Sequence, residues 1–163
     1  MSQTHVAMGE LAVSTDADDV LMALGLGSCI GLALVDPIRG VSGLAHVVLP
    51  ESPPTATVAT LRFADHAVPA LAKQVAAAGA RTGGLTAWLV GGASMFGPAN
   101  GTLDIGNRNA QAVRAQLKTL RIRVAGEETG GGVGRTLRVT DGGRTLTVRE
   151  AGGRDRPLVA ARR

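Results

Sequence analysis

Residues 24–50, LGLGSCIGLALVDPIRGVSGLAHVVLP, decide the fold of this chain and contain its only cysteine, Cys29. Two short apolar runs, residues 30–35 and 41–49, flank the turn sequence of residues 36–40. Apolar runs of this length around a turn that contains proline and glycine are typical of a β-hairpin. Aspartate at the first position, proline at the second and glycine at the end suit a type I turn. We therefore expect a hairpin at the centre of the fold.

The turn also predicts which residues of the two strands face each other. If Asp36 pairs with Arg39 across the turn, the same count places Cys29 opposite His46. Directly opposed residues have Cβ atoms roughly 5 Å apart and side chains on one face, which is close to the reach that a thiol and an imidazole need. A one-residue change in loop length would place the two side chains on opposite faces. The sequence thus predicts a cysteine–histidine pair.

A pair of Cys29 and His46 suits acyl transfer, because an imidazole can lower the pKa of a thiol and carry its proton. Backbone N–H groups of Gly27, Ser28 and Cys29 could stabilise the oxyanion that forms, so Gly27 and Ser28 are the substrate-binding candidates. The alternative is that Cys29 is a small buried hydrophobic residue without chemistry. Ser28 is the weaker candidate nucleophile, because no base is predicted on its face of the strand.

The composition is that of one ordinary domain. The chain has 163 residues, 45% of them hydrophobic, with one Trp, two Phe and no Tyr, which allows an aliphatic core and argues against base stacking on aromatic side chains. We expect residues 1–151 to form a single domain and residues 152–163 to be a basic, flexible tail. Four arginines and one aspartate in that tail account for most of the net charge of +4, which favours a solvated end over a nucleic-acid surface.

Several classes of protein are disfavoured. Neither an apolar run of about 18 residues nor a signal-peptide pattern is present, so we expect a cytoplasmic protein without membrane insertion, in which the lone cysteine stays a thiol. One cysteine and three scattered histidines do not match a zinc site. The glycine-rich loop at residues 91–98 lacks the lysine and hydroxyl of a phosphate-binding loop. Neither a metal nor a cofactor is expected.

The rest of the chain alternates strands with two amphipathic helices. Strands are predicted at residues 5–14, 20–24, 85–90 and 121–125, with a final hairpin at residues 135–149 around a turn of the sequence DGG. A first helix is predicted from near Val58 to Gly79, with a kink or break near residue 65 caused by Pro69. A second is predicted at residues 107–120. His66 falls in the first helix and reads as a partly exposed residue rather than a catalytic one.

Ordered motifs along most of the chain closely resemble those of the CheD family, the chemoreceptor glutamine deamidases of bacterial chemotaxis. The matching motifs are, in order, residues 24–29, 36–37, 45–50, 91–96, 105–109 and 126–135. The resemblance extends to about residue 150. Motifs that recur in one order are far more specific than any single motif among them.

The resemblance implies a cytoplasmic enzyme that converts glutamine side chains of methyl-accepting chemotaxis receptors to glutamate, with release of ammonia through a cysteine thioester. The family's catalytic cysteine falls on Cys29 and its histidine on His46. The implied fold is of the α+β class: two packed mixed β-sheets flanked by helices, an αββα-type sandwich similar to the catalytic domain of glutamine-deamidating bacterial toxins. The phosphatase CheC is implied as a further partner.

One position departs from the family pattern. The family usually carries a threonine six residues before its cysteine, where this chain has Ala23. A methyl group cannot orient an imidazole by hydrogen bonding, so a backbone carbonyl or another side chain holds His46, or activity is lower than in other members. The alternative function is therefore a weakly active or inactive member that regulates CheC or the receptor array by binding. A general cysteine peptidase is a third reading, for which the sequence indicates no extended substrate groove.

Overall fold

A computed structural model describes residues 2–55, 60–95 and 104–161 and places them in two five-stranded sheets and two α-helices. The first sheet contains, in spatial order, β1 (Gln3–His5), β3 (Val20–Leu26), β8 (Arg135–Thr140), β9 (Thr145–Glu150) and β10 (Arg156–Pro157). The second contains β2 (Leu11–Ser14), β5 (Val41–Val47), β4 (Ile30–Asp36), β6 (Thr86–Gly91) and β7 (Arg123–Thr129). The helices are α1 (Ala64–Ala77) and α2 (Ile105–Thr119).

The two sheets pack face to face, and both helices cover the outer face of the second sheet. Along β4, Ile30 and Leu32 pack with the helices, whereas Ala33 and Val35 face the first sheet. A strand buried on both faces reads as a continuous apolar run, which explains the sequence of β4. The predicted α+β fold of two packed mixed sheets is confirmed, since each sheet contains one parallel pair. Within the described residues the layers run sheet, sheet, helices, so the helices flank one side rather than both.

The central hairpin forms from β4 and β5 as predicted, but its register differs by two residues. Asp36 pairs with Val41 and Gly31 pairs with His46, so residues 37–40 all lie in the turn. The predicted direct pairing of Cys29 with His46 is therefore wrong. Because the shift is an even number of residues, both side chains still belong to the same face of the sheet.

The longer turn has a physical cause in the carboxylate of Asp36. This side chain is 1% exposed and accepts hydrogen bonds from the backbone N–H of Arg39 at 3.2 Å and of Arg81 at 2.8 Å. The second bond ties the hairpin to the segment between α1 and β6. Asp36 thus stabilises a turn that is two residues wider than the local sequence predicts.

The segment predicted as one strand at residues 5–14 is two strands, one in each sheet. Residues 6–10 cross from the first sheet to the second. Gly9 takes a positive φ of 76°, and the Glu10 carboxylate accepts from the N–H of Ala7 at 2.9 Å. The crossing lies beside His46, whose backbone exchanges hydrogen bonds of 3.0 Å with Gly9 and Glu10. The crossing therefore brings the main chain of Val6 to the His46 side chain.

Both predicted helices are present with changed starts. The predicted start of the first helix near Val58 lies outside the described residues; within them α1 begins at Ala64, and Pro69 lies inside it. It ends before Gly79, whose φ of 110° is the left-handed stop that the sequence predicts. The second helix starts two residues earlier than predicted because the Asp104 side chain caps its first turn. Neither helix is long and apolar enough to cross a membrane.

Residues 156–161, predicted to lie in a flexible tail, are held against the domain. β10 pairs with β9, and Leu158 is 9% exposed and donates its N–H to the carbonyl of Leu146 at 2.9 Å. The guanidinium of Arg156 makes two contacts of 2.6 Å with the carboxylate of Glu128. The two-residue strand β10, the bond of Leu158 and the bond from the N–H of Ala161 to the carbonyl of Ala125 at 2.7 Å therefore hold this segment against the domain.

Candidate active site

Cys29 lies at the point where the chain passes between the two sheets. β3 ends at Leu26 and β4 begins at Ile30, so Gly27, Ser28 and Cys29 form a short connection from one sheet to the other. The Cys29 side chain is 8% exposed and packs in the layer between the sheets. A nucleophile at this position is held by both sheets at once.

All three carbonyl groups of the connection are held from outside it. The carbonyl of Gly27 accepts from the N–H of Ala93 at 2.8 Å. The carbonyl of Ser28 accepts from Nδ2 of Asn109 at 2.9 Å, and the carbonyl of Cys29 accepts from the N–H of Gly92 at 2.9 Å. Carbonyl groups held in this way fix the orientations of the intervening peptide planes. The connection is therefore preorganised by the segment that follows β6 and by α2.

Two adjacent backbone N–H groups of the connection have no hydrogen-bond partner among the described residues. The N–H of Gly27 donates to the carbonyl of Gly25 at 3.0 Å, so this predicted oxyanion donor is already engaged. The N–H groups of Ser28 and Cys29 make no hydrogen bond to any described residue. A pair of free N–H groups beside a thiol can bind the oxyanion of an acyl intermediate.

The glycine-rich segment after β6 packs directly behind Cys29. A Cβ at position 91 would lie 2.1 Å from the Cys29 carbonyl oxygen, and Gly91 has a φ of 118°. No other residue fits there without moving the connection. The segment is thus the backbone support of the candidate site, in agreement with its poor match to a phosphate-binding loop. Residues 96–98 of the predicted loop lie outside the described residues.

His46 is 3% exposed, and one of its ring nitrogens has a defined partner. Its Nδ1 lies 2.9 Å from the backbone carbonyl oxygen of Val6. Since a carbonyl oxygen only accepts, Nδ1 carries a proton, and in the neutral form of the imidazole Nε2 then keeps its lone pair. Nε2 is buried, and no described residue gives it a hydrogen bond. The ring is therefore held in one orientation, with Nε2 left available as an acceptor.

Cys29 and His46 are diagonal neighbours on one face of the second sheet. Gly31 is opposite His46, and Cys29 lies two residues before Gly31. Diagonal neighbours of an antiparallel pair have Cβ atoms roughly 7–8 Å apart, which long and aromatic side chains still bridge. The thiol and the imidazole share the inter-sheet layer but make no hydrogen bond in the free protein.

Burial raises the pKa of the Cys29 thiol. Desolvation is the cause, because a low-dielectric environment disfavours the charged thiolate. At neutral pH the raised pKa keeps this group a thiol.

Ala23 faces the same inter-sheet layer. It lies on β3, is 0% exposed and pairs with Leu137 of β8. The hydroxyl that the family pattern places here is absent, and the carbonyl of Val6 holds the imidazole of His46 instead. The sequence left open whether a backbone carbonyl or another side chain holds His46. In the structure it is a backbone carbonyl.

His66 is not brought to Cys29. Its Nε2 lies 3.0 Å from Oγ of Ser52, which in turn donates to the Asp65 carboxylate at 2.8 Å. Because the single hydroxyl proton of Ser52 goes to Asp65, Nε2 of His66 is the donor in its own bond. Within the described residues no cluster of three or more His, Cys, Asp or Glu could hold a metal ion.

Sequence reasoning missed two groups of this site, Val6 and Asn109. Asn109 is a polar residue inside the buried stripe of α2, between Gly106 and Val113, and a polar residue in such a stripe is a usable signal. Val6 contributes only a main-chain carbonyl, which no sequence pattern marks. A cleft lined by Ser28, Met95 and the first residues of α2 opens beside the connection.

Known proteins resemble this chain over most of its length. A family model described as CheD chemotactic sensory transduction matches residues 48–150. A protein of Clostridium botulinum strain Hall, named probable chemoreceptor glutamine deamidase CheD, is 41% identical over 140 residues, which cover 84% of this chain and 86% of the relative. A protein of the same name from strain Eklund 17B is 40% identical over 154 residues, which cover 91% and 95%. An alignment over 91% of the chain necessarily includes residues 24–50.

Proposed function

The chain belongs to the CheD family, and we propose that it is a protein-glutamine deamidase that converts glutamine side chains of methyl-accepting chemotaxis receptors to glutamate in the cytoplasm. The names of the relatives supply the substrate class. The observation that carries the proposal is the placement of Cys29 and His46 on one face, beside two backbone N–H groups that have no partner among the described residues.

In the first half-reaction the Cys29 sulfur attacks the side-chain amide carbon of glutamine. The thiol proton passes to Nε2 of His46, and the amide oxygen becomes an oxyanion bound by the N–H groups of Ser28 and Cys29. The carbon–nitrogen bond then breaks. The leaving nitrogen takes the proton from His46 and departs as ammonia, which leaves a thioester on Cys29.

In the second half-reaction water attacks the thioester. Nε2 of His46 accepts the proton of the water, the same N–H groups bind the second oxyanion, and the carbon–sulfur bond breaks. The sulfur leaves as thiolate and recovers its proton from His46, while the product is glutamate. Each step uses one base and one oxyanion site, so no metal or cofactor enters the proposal.

The carbonyl of Val6 serves as the orienting group of this dyad. In a catalytic triad the third member holds the imidazole in the tautomer that leaves the reactive nitrogen free. A backbone carbonyl provides the same hydrogen bond without a charge. The proposal therefore assigns Ala23 no catalytic part.

The direct test is mass spectrometry of receptor fragments. Incubating the purified protein with cytoplasmic fragments of receptors from the same organism should add about 1 Da per converted glutamine, and about 3 Da in ¹⁸O-labelled water, since the new oxygen comes from water. Cys29→Ala should abolish both changes. Cys29→Ser serves as the matched control for folding. A folded wild-type protein that changes no fragment would overturn the proposal.

Ala23 favours a second candidate function, a weakly active or inactive member that regulates by binding. Such a protein would bind CheC or the receptor array without efficient chemistry. The two candidates separate cleanly: binding that is unchanged by Cys29→Ala, with no conversion of glutamine by the wild type, supports the regulator. CheC as a partner is tested by the same binding measurement with the purified phosphatase.

A further inference from the structure

One polar side chain lies in the buried face of α2, and it reaches the candidate active site. Asn109 is 0% exposed, and its Nδ2 donates to the carbonyl of Ser28 at 2.9 Å and to the carbonyl of Val48 at 2.9 Å. Ser28 precedes the candidate nucleophile, and Val48 follows the candidate base by two residues. A single amide group thus joins the two segments that carry Cys29 and His46.

The amide lies where the central hairpin opens. The last backbone pair of β4 and β5 is Ile30 with Val47. Beyond it the chain after β5 turns away, and the N–H groups of Val48 and Leu49 both donate to the carbonyl of Arg62 at 2.9 Å. The ladder of the hairpin would otherwise continue across this gap. Asn109 supplies the missing cross-strand link from the side of the helix.

The bond to Ser28 also orients a candidate oxyanion donor. In a trans peptide the C=O of one residue and the N–H of the next point in opposite directions. Holding the Ser28 carbonyl toward α2 therefore directs the Cys29 N–H away from α2. The same contact both spaces the two segments and aims the N–H group.

The oxygen of the Asn109 amide shows that helix stability does not account for an asparagine at this position. Oδ1 of Asn109 is buried and has no hydrogen-bond partner among the described residues, and asparagine is a poor helix former. A buried orphan acceptor in a native fold requires an explanation outside local stability. The two bonds made by Nδ2 provide one.

We propose that Asn109 is a positioning residue: it clamps the opening between β4 and β5 and so sets the geometry between the Cys29 thiol, the His46 imidazole and the Cys29 N–H. This assignment rests on the proposed deamidase function for its kinetic consequences. It does not rest on that function for its effect on the thiol, which can be measured without substrate.

The first test compares Asn109→Ala and the isosteric Asn109→Asp with Leu117→Ala. Leu117 is 0% exposed and lies two turns after Asn109 on α2, in the core between the helices and the second sheet, so its truncation reports destabilisation of the same helix. At a temperature where all variants are folded, both Asn109 variants should lower the kcat for receptor fragments at least about tenfold, with KM changed less than about threefold. Leu117→Ala should stay within about twofold of wild type.

The second test measures alkylation of Cys29 by iodoacetamide, for which the lone cysteine gives a clean signal. His46→Ala should slow alkylation of the wild type at pH 7 by about fivefold or more, and should change the rate less than about twofold in the Asn109→Ala background. That difference is the loss of coupling between thiol and imidazole. The Asn109→Asp background replaces Asn109→Ala if the latter does not fold.

Equal effects of His46→Ala in both backgrounds would overturn the positioning role, and so would a fall in kcat that Leu117→Ala reproduces at equal loss of stability. Absence of deamidation in the wild type would overturn the proposed function alone. In that case the alkylation cycle still decides whether Asn109 couples the two side chains.

Discussion

Nδ1 of His46 donates a hydrogen bond to the backbone carbonyl of Val6 across 2.9 Å. Val6 is itself fixed, because its N–H donates to the carbonyl of Met22 in β3 at 2.8 Å. The imidazole is therefore anchored to the first sheet although it is carried by the second. An anchor made of main chain does not depend on the identity of a neighbouring side chain, so the imidazole keeps its orientation with Ala23 in place.

The bond to Val6 makes His46→Asn a selective variant. The asparagine amide nitrogen can take the place of Nδ1 and keep the bond to the carbonyl, but it has no basic nitrogen in the place of Nε2. We expect His46→Asn to lower kcat about 10²- to 10⁴-fold with a small change in melting temperature. His46→Ala should lose both activity and stability, because it leaves the Val6 carbonyl buried without a donor.

Calorimetry and the receptor-fragment assay on these two variants provide the measurement. Activity of His46→Asn near the wild-type level would show that His46 is not the base. Equal melting temperatures for the two variants would remove the structural role of the bond to Val6.

Ala23→Thr should not raise activity. Position 23 is 0% exposed and packs against the core between the sheets, so a hydroxyl and a methyl group added there would overpack it, at a cost of about 1–3 kcal/mol in stability. The imidazole already has its orienting partner. We expect a lower melting temperature and a kcat within about threefold of wild type. A gain of tenfold or more would show that Val6 is a poor substitute for the threonine of the family.

Burial raises the pKa of the Cys29 thiol, which makes stability depend on pH in a defined direction. The folded protein keeps this proton to higher pH than the unfolded chain, whose thiol ionises near about 8.5. Stability from this group is therefore unchanged below that pH and falls as pH rises above it. Urea titrations at pH 7 and pH 9.5 give the unfolding free energies of wild type and Cys29→Ser. Between these pH values the wild type should lose more unfolding free energy than Cys29→Ser does. A constant difference would contradict the raised pKa.

Local patterns were enough to predict the strands and helices that pack around the site, and tertiary contacts determined what they missed. The runs in β4 and β5 and the final hairpin follow from apolar spacing and turn residues. The register did not follow from these local patterns, because the width of the turn depends on a hydrogen bond that the N–H of Arg81 donates to Asp36, 45 residues away. Such a contact leaves no trace in the turn sequence itself.

The candidate site divides in the same way. The shared face of Cys29 and His46 follows from the period of two along a strand, and it survived a register error of two residues because that error was even. The carbonyl of Val6 reaches His46 only because residues 6–10 cross between the sheets, where one continuous strand was predicted. Asn109 was within reach of sequence reasoning, since a polar residue interrupts an apolar helical stripe there.

Gly91→Ala should damage the site, whereas Gly79→Ala should not. Both glycines have a positive φ, 118° and 110°, so either alanine carries a similar backbone strain of about 1–3 kcal/mol. A Cβ at position 79 meets nothing within 4 Å, but one at position 91 would lie 2.1 Å from the Cys29 carbonyl oxygen. Misplacing a nucleophile by about 1 Å can cost roughly 10²-fold in rate. We expect that loss of kcat for Gly91→Ala only.

The melting temperatures of Gly91→Ala and Gly79→Ala show whether the two variants carry the same backbone strain. The receptor-fragment assay gives their rates. Gly91→Ala with full activity would mean that the connection around Cys29 tolerates displacement. Equal loss of activity in both variants would point to general destabilisation instead.

Alanine substitutions at neighbouring positions of the packed C-terminal segment should lower the free energy of unfolding by different amounts. Leu158 is 9% exposed, and truncating a buried leucine to alanine costs about 2–5 kcal/mol, so Leu158→Ala should fall near the lower end because a little of the side chain is exposed. Arg156 is 46% exposed in its ion pairs, and exposed ion pairs contribute about 0–1 kcal/mol, so Arg156→Ala should cost far less. Val159, 75% exposed, is the matched control, and its alanine variant should be neutral. Urea titration of the three variants gives the order; a Leu158→Ala variant as stable as Val159→Ala would mean that the segment is a free tail in solution.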